Sequence, residues 1–171
     1  MVVIRRAEPE DAAGIAHVQV QSWRSTYAGI VPDGFLAQMS ENEQTARWKL
    51  LQAGNEVFVA ERDGHVVGFA MGGASRDRVE DSDAELYAIY LLQQAQRARI
   101  GTDLLRETAR ALSERGFTSL DVWVLAANSS KQFYVRRGAH FAASKVIEIG
   151  GVKLVEEGFV WPDLKALASP P

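Results

Sequence analysis

The sequence predicts an α/β fold, a sheet of mixed strand direction with helices on its faces, and three observations lead to it. Segments follow one another in the order strand, two helices, three strands, helix, strand, helix, two strands. Residues 85–92 form an apolar strand, residues 102–115 an amphipathic helix and residues 118–126 a second strand. Such a crossover predicts that the two strands run parallel. The turn-forming stretch at residues 62–65 predicts an antiparallel hairpin elsewhere in the sheet.

The N-terminal third predicts one short strand and two helical segments. Residues 2–6 are strand-like, and a proline shortly after them suits the first position of a helix. That helix places Ile15, Val18 and Trp23 on one apolar face. A Pro-Asp-Gly turn ends it, and residues 35–52 contain the second helical segment.

The remaining strands and helices are predicted from alternating apolar and polar residues and from turn-forming residues. Residues 56–61 and 66–72 are the two strands of the predicted hairpin, and a polar loop separates them from the apolar strand. Residues 129–137 form a short helix that a glycine ends. Residues 145–149 and 152–161 predict a second, terminal hairpin around two glycines.

Composition limits the classes of function. The 171 residues suffice for one domain with a sizeable core, which we expect over residues 1–167, with a short C-terminal tail at 168–171. The net charge of −3 indicates no general attraction to nucleic acid or to an anionic membrane. Because the chain has no cysteine and three scattered histidines, we expect no metal site. Without a signal-like N-terminus or a bilayer-length apolar run, we expect a cytoplasmic protein.

A loop with two arginines lies between the apolar strand and its helix. Backbone N–H groups at a helix start have no acceptor within the helix, and the helix dipole adds positive potential there. Arg97 and Arg99 make this loop a candidate phosphate site. It is neither a Walker loop nor a dinucleotide fingerprint, because it contains only one glycine.

Two segments carry a resemblance to the GNAT superfamily of N-acetyltransferases. Residues 85–92 and 96–105 resemble the family's central strand and its pyrophosphate loop, Gln/Arg-x-x-Gly-x-Gly/Ala. Residues 128–139 are similar to the segment Asn-x-x-x-x-x-Phe-Tyr-x-x-x-Gly-Phe, and residues 22–36 look like one bacterial branch. The resemblance covers nearly the whole chain. It implies a GNAT-like mixed central sheet flanked by helices on both faces, and transfer of an acetyl group from acetyl-CoA to a primary amine in a ternary complex.

The resemblance also implies roles for individual residues. It places the coenzyme A diphosphate on the backbone N–H groups of Gln96, Arg97, Ala98, Arg99, Ile100, Gly101 and Thr102. The strand edge near Ile89 and Leu91 would pair with the pantetheine arm, which Asn128 would also reach. The Leu91 N–H would polarise the thioester carbonyl, and the Tyr134 hydroxyl would protonate the leaving thiolate.

The acceptor side is less defined by the sequence. An amine attacks only when neutral, so the site needs a base or a water path, and Glu85 at the start of the central strand is the first candidate. The alternative interpretation is that Glu85 is an exposed carboxylate without a catalytic role. Trp23 and Tyr27 lie where this family forms its acceptor wall, although packing is the commoner role for such residues. The resemblance implies a small-molecule or peptide amine as the acceptor, and a homodimer is compatible with it.

One departure from the family pattern leaves alternatives open. Arg99 occupies the place of the family's first loop glycine, where it either binds a phosphate or crowds the loop. The second outcome favours a non-catalytic acyl-CoA-binding or regulatory domain of the same fold, or an interaction domain that has lost the cofactor.

Overall fold

A computed structural model, which describes residues 1–51 and 53–170, contains one seven-stranded sheet. The strands are β1 (Val2–Arg6), β2 (Glu56–Arg62), β3 (His65–Ala74), β4 (Ala84–Leu91), β5 (Leu120–Leu125), β6 (His140–Ile149) and β7 (Val152–Trp161). Their spatial order is β1-β2-β3-β4-β5-β7-β6. Neighbouring strands are antiparallel except β4 and β5, which pair in parallel as the crossover predicts.

Helices cover both faces of this sheet. They are α1 (Ala12–Thr26), α2 (Asp33–Gln38), α3 (Glu41–Leu51), α4 (Ile100–Glu114), α5 (Lys131–Arg136) and α6 (Leu164–Ala168). Helices α1 and α3 contribute to the core on one face, and α4 and α6 contribute to the core on the other. The predicted fold class is therefore confirmed. None of the helices in the described ranges has the length and apolar character needed to cross a membrane.

Successive side chains of strand β2 point to opposite faces of the sheet and pack into two separate cores. Val57 and Val59 pack with Ile15 of α1, whereas Phe58 and Ala60 belong to the core under α4. Each of these four β2 side chains is at most 5% exposed. Burial of a large apolar side chain contributes roughly 1.5–3 kcal/mol, so this two-sided pattern fixes the register of the central strands.

Strands β4 and β5 separate soon after they meet. Their parallel pairing consists of Ala84 opposite Leu120 and Glu85 opposite Asp121. On the other edge of β4, Met71 pairs with Ala88 and Gly72 with Leu86, so Tyr87 is the extra residue of a β-bulge. A bulge bends and twists its strand, and a cleft therefore opens between β4 and β5.

Hydrogen bonds to carboxylates hold the closed end of this cleft together. The Asp83 carboxylate accepts bonds of 2.9–3.1 Å from the backbone N–H and hydroxyl groups of Thr118 and Ser119. Burial opposes ionisation of Asp83, but these bonds hold its pKa below the usual range. Asp121 accepts bonds from the hydroxyls of Ser75, at 2.6 Å, and Ser82.

Several predicted boundaries differ from the structure. Helix α4 begins at Ile100, two residues before the predicted start, and β6 begins five residues early at His140. The segment predicted at 35–52 is two helices, α2 and α3, and its end at Gln52 lies outside the described residues. The sequence analysis missed α6. Ala168, predicted as tail, ends this helix and packs against the core, and Pro171 lies outside the described residues.

The contact between β3 and α4 yields a prediction about stability. A Cβ on Gly72 would lie 2.9 Å from Thr108 Cγ2, 3.0 Å from Leu112 Cδ1 and 3.2 Å from the Glu85 carbonyl oxygen. Gly72→Ala should therefore lower the free energy of unfolding by about 1–3 kcal/mol, measured by urea denaturation. Gly34→Ala is the matched control, because a Cβ there meets no atom within 4 Å. Equal stability of the two variants would contradict this account of the interface.

Candidate functional site

The cleft between β4 and β5 contains two adjoining cavities. The first measures about 560 Å³ and is lined by both strands, the loop before α4 and the segment around α5. The second measures about 390 Å³ and continues toward the β6–β7 hairpin. The two share a wall formed by Tyr27, Leu86, Tyr87, Tyr90, Trp123 and Val124. One continuous cleft can therefore receive two molecules side by side.

The loop before α4 lines the first cavity, with an unusual backbone. Arg97 and Arg99 have φ values of +66° and +63°, in the left-handed region that favours glycine. The Asp103 N–H donates to the Arg99 carbonyl at 3.0 Å as the first bond of the helix. The N–H groups of Ile100, Gly101 and Thr102 precede that bond and have no acceptor within the helix.

Not every residue of this loop and of the first turn of α4 reaches the cavity. Gln96, Arg97, Arg99, Gly101 and Thr102 line it, whereas Ala98 and Ile100 do not. The side chain of Ile100 is 3% exposed and packs in the core, so only its backbone is available to a ligand. A Cβ on Gly101 would lie 3.3 Å from Leu91 Cδ1. Glycine therefore permits the close approach of this loop to β4.

The free edge of β4 presents backbone groups to the same cavity. The Leu92 N–H donates to the Val67 carbonyl of β3 at 2.9 Å. Because alternate N–H groups of a strand point to opposite edges, those of Leu91 and Ile89 point away from β3 and into the cleft. The Ser22 hydroxyl donates to the Leu91 carbonyl at 3.1 Å and fixes this end of the strand. Sequence reasoning missed Ser22, because a serine within a helix carries no distinctive signal.

Tyr134 lies on the opposite wall. It is 7% exposed, lines the first cavity and packs edge-on against Trp161, with ring centroids 5.8 Å apart. Among the described residues its hydroxyl has no hydrogen-bond partner. Burial raises the pKa of Tyr134, so the hydroxyl keeps its proton at neutral pH.

Asn128 and Tyr27 connect the two walls. The Asn128 side-chain oxygen accepts from the Ser130 N–H at 2.8 Å, and its Nδ2 donates to the Tyr27 hydroxyl at 3.4 Å. Tyr27 packs edge-on against Trp23 with ring centroids 4.7 Å apart. Tyr27 lines both cavities and Trp23 lines only the second.

Glu85 faces the second cavity, but both of its oxygens are engaged. The side chain is 2% exposed. One oxygen accepts from the Arg76 backbone N–H at 3.0 Å and from its Nε at 3.1 Å, and the other accepts from Arg76 Nη2. A carboxylate held in this way by a guanidinium is a poor proton acceptor. Glu85 lies near the start of β4 and lines this cavity, but its ion pair argues against the role of base.

Glu156 of β7 lies on the opposite side of the second cavity. It pairs in register with Lys145 of β6, and its carboxylate is 3.8 Å from the Lys145 ammonium, beyond hydrogen-bond distance. Burial raises the pKa of Glu156, and the nearby Lys145 only partly offsets that effect. The sequence analysis missed this residue, because a glutamate in an alternating hairpin is typical of a solvated face.

The two cavities differ in charge. The described lining of the first includes four arginines and no carboxylate: Arg97, Arg99, Arg136 and Arg137. The second is lined by three carboxylates and two cations: Asp77, Glu85, Glu156, Arg76 and Lys145. The first cavity therefore suits an anion, and the second carries one net negative charge. Within the described ranges, no group of three histidines or carboxylates could hold a metal ion.

Comparisons with known proteins agree with this geometry. The sequence model of the Acetyltransferase (GNAT) family matches residues 19–139. The N-acetyltransferase YuaI of Bacillus subtilis, itself uncharacterized, is 44% identical over 168 residues, 98% of this chain and 96% of the relative. A spermidine N(1)-acetyltransferase of Thermoplasma acidophilum is 26% identical over 144 residues, 80% of this chain and 87% of the relative. The crystal structure of the PaiA N-acetyltransferase of T. acidophilum in complex with coenzyme A superposes with a TM-score of 0.70 and 25% sequence identity. The match covers 92% of this chain and 98% of the PaiA chain.

The backbone of Arg99 yields a prediction that separates conformation from charge. Both Arg99→Gly and Arg99→Ala remove the guanidinium, but only glycine relieves the left-handed φ of +63°. We therefore expect Arg99→Gly to be more stable than Arg99→Ala. Its free energy of unfolding, measured by urea denaturation, should be higher by about 1 kcal/mol. Indistinguishable midpoints for the two variants would mean that this conformation carries no strain.

Proposed function

The chain belongs to the GNAT acetyltransferase family, so it is an acyltransferase with acetyl-CoA as its co-substrate, and we propose that it acetylates a primary amine by direct attack in a ternary complex. One observation carries the proposal. Among the described residues, β4 N–H groups without a strand partner and a protonated tyrosine line the first cavity, and the Glu156 carboxylate lines the second cavity beside it. The acceptor enters that second cavity as a small molecule or as a peptide end.

The first cavity supports binding of coenzyme A by this chain's own groups. The N–H groups at the start of α4 and the guanidinium groups of Arg97 and Arg99 suit a diphosphate. The Ile89 N–H at the edge of β4 suits an extended amide-containing arm, which would bind as an added strand. Asn128 has one amide hydrogen beyond its bond to Tyr27 and offers it to the same arm.

Acetyl-CoA supplies an acetyl group activated as a thioester. The Leu91 N–H donates to the carbonyl oxygen as negative charge develops there. The amine nitrogen forms the new bond to the carbonyl carbon while the carbon–sulfur bond breaks. Tyr134 donates its proton to the departing sulfur, and the surplus proton of the amine passes to a carboxylate, directly or through water.

Glu156 is our candidate for that carboxylate. Glu85 was the sequence-based candidate, but Arg76 occupies both of its oxygens. Glu156 faces the same cavity and has no hydrogen bond from another described side chain. Its raised pKa also brings it closer to that of the amine, which makes the proton transfer less unfavourable.

Tyr134→Phe tests the proposed acid. We expect kcat for thiol release from acetyl-CoA to fall by about 10²-fold, because general acid catalysis typically contributes 10²–10⁴-fold. The dissociation constant of acetyl-CoA, measured by titration calorimetry, should stay near the wild-type value. Stability should also be retained, because the hydroxyl bonds to no other described residue. Wild-type turnover in this variant would exclude Tyr134 as the proton donor.

Glu156→Gln tests the proposed base through pH. A base acts when deprotonated, so wild-type kcat/KM should rise with pH through the raised pKa of Glu156, and the variant should lose this rise. Arg76 and Lys145, and the acids Asp77 and Glu85, also act on this group. Glu148→Gln is the control, because Glu148 is exposed on β6 outside both cavities.

The same pair of variants has a stability readout. The folded chain binds the Glu156 proton more tightly than the unfolded chain, because the folded pKa is raised. Wild-type stability should therefore decline as pH rises from the ordinary carboxyl range through the raised value, and Glu156→Gln should decline less. Identical pH profiles of rate and stability in wild type and Glu156→Gln would remove Glu156 from this role.

A second candidate function is a non-catalytic acyl-CoA-binding or regulatory domain. The left-handed Arg99 favours it, because its side chain stands at the loop where the family pattern has a glycine. Acetyl-CoA binding in calorimetry without thiol release across a broad panel of amines would support this alternative. Turnover with any amine would exclude it.

A further inference from the structure

The lining of the second cavity includes an alkylammonium group, that of Lys145. Its Nζ lies 3.9 Å from the centroid of the Trp123 ring, within the range of a cation–π interaction. It is ion-paired with Asp77, and it lies 3.8 Å from Glu156. The Lys145 ammonium holds the pKa of Asp77 below its usual range. An aromatic face with two carboxylates is the environment that receives a ligand ammonium, and here the chain fills it with its own side chain.

The charge balance leaves room for one further cation. Arg76 engages Glu85, and Lys145 engages Asp77. Glu156 is the remaining carboxylate among the described residues that line this cavity, and it accepts no hydrogen bond from either cation. Three negative charges against two positive charges give a net charge of −1. An acceptor with one ammonium balances this cavity, whereas an acceptor with two or three leaves uncompensated positive charge.

The rest of the wall is apolar and aromatic. Trp23, Tyr27, Tyr87 and Tyr90 line the cavity together with Trp123, and Leu125 and Ile149 also contribute to its lining. Such walls stabilise an apolar body by burial and favour aromatic groups through edge-to-face contacts.

Building on the proposed function, we propose that the acceptor is a monoamine with an aromatic or other apolar body, and that Lys145 excludes polyamines by occupying the place of their second ammonium. Lys145 is thus a specificity-determining residue. The amine to be acetylated lies beside Glu156, and the apolar body lies along the aromatic wall. Removal of the Lys145 ammonium would open a cation site formed by Asp77 and Trp123.

The test compares wild type with Lys145→Met and with Lys153→Met, using 2-phenylethylamine and spermidine as probes. Lys153 lies on the same hairpin, is exposed and lines neither cavity, so it is a matched control. We expect wild-type kcat/KM to favour 2-phenylethylamine by about tenfold or more. Lys145→Met should shift the ratio toward spermidine by about tenfold, and Lys153→Met should leave it unchanged.

A binding measurement without acetyl-CoA gives a second readout. Trp123 reports on the cavity, so tryptophan fluorescence should respond to 2-phenylethylamine in wild type and to spermidine only in Lys145→Met. A wild type that prefers spermidine, a ratio unaffected by Lys145→Met, or a fluorescence response to neither amine would overturn the inference, and the proposed function would survive if thiol release occurs. Failure to bind acetyl-CoA, with no thiol release for any amine, would overturn the proposed function and this inference with it.

Discussion

The short junction between β4 and β5 is the constraint on which the rest of the site depends. Two residue pairs join the strands, and Asp83 and Asp121 fasten that end with hydrogen bonds from Thr118, Ser119, Ser75 and Ser82. Beyond it the bulge at Tyr87 turns β4 away. Continued pairing would satisfy the N–H groups of Ile89 and Leu91 within the sheet and leave no space between the walls. The polar contacts at the closed end thus keep two strands together there, so that they can separate further along.

The two walls of the cleft present different kinds of groups to a ligand. The β4 wall offers backbone groups, whose positions the β3 pairing and the Ser22 hydroxyl fix. The opposite wall offers side chains, and these are held by packing: Tyr134 by Trp161, and Trp123 by Lys145. Backbone donors are suited to a co-substrate with a constant structure. Side chains can be exchanged without disturbing the sheet, so this wall can differ between proteins of the same fold.

Local patterns predicted the parallel direction of β4 and β5, since a strand, an amphipathic helix and a second strand in sequence favour a parallel pair. The bulge at Tyr87 and helix α6 were not predictable in this way, because both depend on pairing and packing with distant segments. The same holds for the site. The resemblance to the GNAT family suggested Tyr134 and Leu91, and a helix start with two arginines suggested the loop, whereas Glu156 and Lys145 come together only through the β6–β7 register. A lone charge in an alternating strand has no sequence signal that distinguishes it from a solvated one.

The charge separation within the cleft gives a chain with a net charge of −3 one cavity that suits an anion and one that suits a cation. Four arginines and no carboxylate line the described part of the first cavity, and the second has one surplus negative charge. Low-dielectric walls focus such local fields, so an anion is attracted to the first cavity and a cation to the second. Arg99 belongs to this pattern. Its left-handed backbone is unfavourable by about 1–2 kcal/mol relative to glycine. A phosphate bound to its guanidinium would offset that strain only when the co-substrate is present, which couples the order of the loop to the occupancy of the site.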